Sequence, residues 1–134
     1  MKASTSESPA YGPEWEDYGD CRAVLQVLDR IGDKWTVMVV GALSKGPLRF
    51  NAIMRVVDGV SHRMLTLTLR SLECDGLVKR TAYATIPPKV EYELTKLGRS
   101  LIEPLKTLAA WARRNRPVIE AARAQFEAAK AQAD

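Results

Sequence analysis

Residues 60–95 constrain the fold of this 134-residue chain more than any other stretch, because a capped helix, a glycine stop and a proline-broken pair of alternating segments follow one another without spare sequence. Ser61 precedes a run of good helix formers, where its hydroxyl can satisfy an otherwise orphan amide. Leu65, Leu69 and Leu72 recur at i, i+4 and i+7, which is one helical face turned toward a core. Gly76 supplies the stop. Beyond it, residues 77–83 and 90–95 alternate around Pro87-Pro88-Lys89. This predicts a hairpin with the prolines in its connection and Lys89 near the tip.

Half a turn away from the leucine face stand Arg63, Thr66, Leu67 and Arg70, spaced i, i+3, i+4 and i+7. Two guanidinium groups on one exposed stripe suit pairing with guanine edges in a major groove, and a stiff basic loop suits phosphate or the minor groove. Leu67 admits two readings, a contact to a thymine methyl or a packing position. His62 beside the cap reads as a phosphate or water partner.

Upstream, Val24, Val27, Leu28 and Ile31 form one face of a helix over 21–31, ended by Gly32. Asp33 caps a second helix over 34–44, whose Trp35, Val37, Met38, Val39, Val40 and Leu43 make it the central buried element. A turn at 44–47 leads to a third helix over 49–57 carrying Phe50, Ile53, Met54 and Val57, and Pro47-Leu48 adds a very short strand against the hairpin. Helix, short turn and helix make a helix-turn-helix. The fold class is therefore mainly α with a small antiparallel β-hairpin.

Downstream, Thr95 caps a last helical segment in which Leu97, Leu101, Leu105, Leu108 and Ala112 repeat close to a heptad seam, with Trp111 beside them. Pro104 and Pro117 bend or divide it, giving helices over 96–115 and 117–130. Such a stripe exceeds what one small domain can cover, so the last helices and the first are expected to form a symmetric dimer. The organisation reads as an acidic arm over 1–20, a DNA-binding domain over 21–115 and a C-terminal helix over 116–134. The arm is either extended or docked through Tyr11, Trp15 and Tyr18.

Charge is distributed unevenly. Residues 1–20 carry one Lys against five acids, whereas residues 45–99 carry ten Lys and Arg against five, so the basic excess lies where backbone phosphate would be met. No apolar run nears the roughly 20 residues needed to span a bilayer, and the polar start lacks a secretion signal's apolar core, which gives a cytoplasmic expectation and no membrane partner. Cys21 and Cys74 lie far apart in no CxxC spacing, and one histidine provides no metal cluster. No cofactor is expected. The chain also lacks a phosphate loop or a nucleophile–base pair, so an enzyme is not expected either.

Cys21, Gly32-Asp33-Lys34-Trp35, Gly46-Pro47-Leu48-Arg49-Phe50, Ser61-His62-Arg63-Met64-Leu65, Asp75-Gly76-Leu77-Val78 and the segment from Pro87 to Thr95 occur in an order and spacing that resembles the HxlR-type winged helix-turn-helix transcriptional regulators. The resemblance covers about residues 21–115. It implies a homodimeric bacterial regulator, more often a repressor, whose Ser61 helix enters the major groove of a pseudo-palindromic operator. It makes Arg49, Ser61, His62, Arg63, Thr66, Leu67 and Arg70 DNA-contact candidates, with Lys89 in the wing. It also carries to Cys21 the role of a sensor of electrophiles or oxidants.

Cys21 has a physical reason for reactivity in its helix-start position and the adjacent Arg22, opposed by Asp17 and Asp20. An inert thiol is the alternative. Cys74, between Glu73 and Asp75, reads as incidental. Leu97, Leu101, Leu105, Leu108 and Trp111 are the dimer-interface candidates, and a small-molecule effector beside Trp111 is a further possibility. Ala52, Leu67 and residues 84–86 depart from the family's usual pattern, so the target sequence does not carry over. The rival class is a winged-helix module that binds a protein instead of a duplex.

Overall fold

The computed structural model describes residues 18–133, with side chains from Arg22 onward. Helix α1 (Tyr18–Ile31) is followed by α2 (Lys34–Leu43), strand β1 (Leu48–Arg49), α3 (Phe50–Val56) and α4 (His62–Cys74). The hairpin β2 (Val78–Tyr83) and β3 (Lys89–Leu94) leads into α5 (Lys96–Arg99) and the long α6 (Ile102–Ala133). The result is mostly helical with one small antiparallel sheet of order β1-β3-β2.

Local chemistry explains the helix boundaries. The Asp33 carboxylate accepts from the amides of Trp35 and Thr36 at 3.1 and 3.4 Å, and Ser61 Oγ accepts from the Met64 amide at 3.0 Å. Each satisfies donors that a helix start leaves unpaired. Helix α4 ends in a Schellman turn: Gly76, at φ +77°, donates to Glu73, and Leu77 donates to Leu72. That turn aims the chain directly into β2. Thr95 caps α5 through its hydroxyl, which accepts from the Gly98 amide and donates to the Gly76 carbonyl, tying the end of the hairpin to the end of α4.

The core joins Val39, Val40 and Leu43 of α2, Ile53 of α3, Leu65, Leu69 and Leu72 of α4, and Val78 and Leu94 of the hairpin. Burying each of these side chains contributes about 1.5–3 kcal/mol. Leu48 pairs with Tyr92, so β1 forms one residue later than Pro47-Leu48 suggests, and α3 starts at Phe50 because Arg49 is already in the sheet.

Two expectations are corrected at the C-terminal end. The segment after Thr95 does not divide at Pro117, which lies inside an uninterrupted α6; it divides at Ser100 and Leu101, between α5 and α6. Pro104 accounts for this, since its ring crowds the carbonyl four residues back and it has no N–H to donate there. Within the first turn of α6 the missing donor costs nothing. No element boundary falls at residues 115–116. The second correction concerns the leucine seam: Leu101 and Leu105 turn inward against the core, while Leu97, Leu108 and Trp111 stay exposed.

The arm over 1–20 falls almost wholly outside the described residues, its last three joining α1. No described helix is long and apolar enough to cross a membrane.

Candidate nucleic-acid interface

Helix α4 has two opposite faces. Leu65, Leu69 and Leu72 are buried, while Arg63, Thr66, Leu67 and Arg70 are all exposed. Among the described residues neither Arg63 nor Arg70 has an ion-pair partner, so both guanidinium groups keep their donors available. Thr66 Oγ1 donates to the His62 carbonyl at 2.9 Å, which leaves both hydroxyl lone pairs able to accept. Leu67 is 49% exposed and lies outside the core, so the packing reading is set aside.

The start of α4 is tied to the sheet through one aromatic contact. The exposed His62 ring sits 4.6 Å from Phe50, the first residue of α3, and the preceding Arg49 pairs with Glu91 of β3. Arg49, His62 and the middle of the hairpin therefore share one continuous surface. Asn51 and Arg55, spaced i, i+4 opposite the buried Ile53, are exposed and line a cleft with Pro88 and Lys89. That spacing was readable in the sequence, and both residues belong with the contact candidates.

Lys89 lies near the wing tip, directly after the connection. It is the first residue of β3, paired with Tyr83, and its ammonium lies 4.7 Å from the Tyr83 ring centroid and 3.8 Å from Glu91. The connection that projects furthest, residues 84–88, carries no charge at all.

At the other end of α4, Arg30 Nη1 contacts Asp75 Oδ2 at 3.0 Å, linking the last turn of α1 to the reading helix. Arg30 also lines the space beside Leu67, Arg70 and Cys74. The two partners are 45 residues apart, and no local pattern announces them. Cys21 falls in the first turn of α1, with its side chain outside the described residues. Helices α1 and α5 bound a largely apolar cleft of about 480 Å³, lined by Val27, Ile31, Leu77, Leu97 and Leu101, with Arg30 and Asp75 alongside. Among the described residues there is no cluster of side chains suited to a metal ion.

A family model described as HxlR-like helix-turn-helix matches residues 30–120. The chain belongs to the HxlR-like helix-turn-helix family. The HTH-type transcriptional regulator YybR of Bacillus subtilis is 44% identical over 96 residues, covering 72% of this chain and 77% of YybR. The solved transcriptional regulator YtfH from Salmonella typhimurium superposes with a TM-score of 0.67 at 38% identity, covering 75% of this chain and 89% of YtfH. The redox regulator HypR in its reduced form gives a TM-score of 0.68 at 42% identity, covering 74% of this chain and 98% of HypR. This HxlR-like protein is a transcriptional regulator of the winged helix-turn-helix type.

Proposed function

We propose that this HxlR-like protein works as a homodimeric repressor, in which two copies of α4 enter successive major-groove faces of a pseudo-palindromic operator. The observation that carries this reading is the exposed Arg63, Thr66, Leu67 and Arg70 stripe on a helix whose opposite face is buried. Arg49, Ser61 and His62 meet the backbone around the helix start, where amides and a basic side chain suit phosphate. Dimerisation follows from apolar surface that one protomer leaves uncovered: Val24, Leu25, Val27 and Leu28 on α1, then Leu97, Leu108 and Trp111. Patches of this kind on a small domain mark interaction surfaces.

Regulation enters through α1. Cys21 and the apolar dimer residues share that helix, and Arg30 at its other end is bridged to the end of α4. Oxidation or alkylation of Cys21 shifts the position of α1 and with it the spacing of the two reading helices. The likeness to a redox regulator supports this trigger. The apolar cleft between α1 and α5 is the second entry point, for a small apolar effector.

Selection of bound fragments from the source genome, with and without oxidant, tests the reading. The expected product is an inverted repeat whose recovery falls with oxidant for the wild type and not for Cys21→Ser. Recovery of no preferred fragment, or binding that is indifferent to salt, overturns DNA recognition and favours a protein-binding wing.

A further inference from the structure

The wing ends on residues 84–88, Ala84-Thr85-Ile86-Pro87-Pro88, and Ile86 at its apex is fully exposed. An uncharged, apolar apex departs from what a phosphate-gripping wing needs. The nearest cation, Lys89, is turned back onto Tyr83 and Glu91. The loop is held in shape by Thr85 Oγ1, which donates to the Pro87 carbonyl at 2.8 Å, and by two consecutive prolines with fixed φ. A rigid loop that presents one branched apolar side chain loses little conformational entropy on burying it.

The position of this apex narrows its partner. The middle of β3 is joined to the start of α4 through Glu91, Arg49, Phe50 and His62, so a duplex seated on the Arg63–Arg70 face lies next to the hairpin. We infer that Ile86 is an apolar minor-groove wedge: it seats against sugar and base edges beside the α4 half-site and favours steps that open easily. The proposal rests on the DNA-binding reading above and assigns the wing a role that its charge does not supply. Apolar wedges of Ile, Leu, Met, Phe or Pro act this way by partly unstacking a step, and pyrimidine–purine steps unstack most readily.

A wedge contributes contact without releasing counterions, and this separates it from a phosphate contact. The test uses full-length protein and a duplex bearing the strongest selected site, labelled in turn with 2-aminopurine at each step flanking the major-groove footprint. Wild type should raise the fluorescence at one flanking step per half-site. Ile86→Ala should abolish that rise and weaken binding about 10-fold, with the slope of log affinity against log salt unchanged. Ile86→Lys should steepen the slope by about one phosphate contact per wing without restoring the fluorescence. Ile86 makes no buried contact, so equal thermal melting of the variants is the folding control. Wild-type binding that Ile86→Ala leaves intact, or weakens with a shallower salt slope, overturns the wedge and leaves the regulator reading standing. Absence of wild-type binding overturns both.

Discussion

Arg63 and Arg70 differ from Lys89 in what already holds them. The arginines have no ionic partner among the described residues, whereas the Lys89 ammonium rests on a ring and a carboxylate. Arg70→Ala should therefore cost about 1–3 kcal/mol of operator binding, read by anisotropy titration, while its exposed position leaves the melting temperature unchanged. Lys89→Ala should cost less. Equal losses for the two would show that the wing matters to recognition as much as the α4 face. Single residues were legible in the sequence where the physics is local. Asp33 and Ser61 each cap the helix that their spacing announces, and Thr95 acts as a cap although the helix it starts is only the short α5, because a cap needs only the next three residues. Lys89 falls near the tip as the prolines require, but its contacts with Tyr83 and Glu91 depend on the strand register, and Arg30 was missed because Asp75 is far away in sequence.

At the level of elements, the packing of α5 against the start of β2 depends on one residue without a side chain. A Cβ at Gly98 would collide with the Leu77 carbonyl, and Leu77 also receives the Thr95 amide. Gly98→Ala should lower stability by about 1–3 kcal/mol or more in chemical denaturation, with backbone movement at the wing root. An unchanged midpoint would show that α5 yields without consequence. The winged helix-turn-helix was legible because its helices carry single apolar faces and its hairpin alternates cleanly. The C-terminal division was misread because both prolines look alike in sequence. Only a proline's distance from a helix start decides whether its missing donor matters. The seam was likewise drawn as one stripe, yet the break before α6 turns Leu101 and Leu105 inward and leaves Leu97 and Leu108 outside.

For the whole molecule, that division of the seam chooses the residue that tests assembly. Leu105 packs on the protomer's own core, so a charge there disturbs folding as well, whereas Leu108 is 62% exposed. Leu108→Glu should convert a dimer to a folded monomer in sedimentation, with the far-ultraviolet spectrum retained and operator affinity greatly reduced. A dimer that persists would move the interface to α1 alone. The proposed pairing rests on surplus apolar surface alone, since a single chain's periodicity does not say what covers it. In the proposed complex two α4 helices read one duplex together through the Arg63 and Arg70 face. Hydroxyl-radical and guanine-methylation footprints of the strongest selected site test it most directly. Two major-groove half-sites about one helical turn, or a multiple, apart are expected, with guanine protection lost in the Arg63→Ala, Arg70→Ala double variant. A single protected half-site, or guanine protection that survives the double variant, would contradict it.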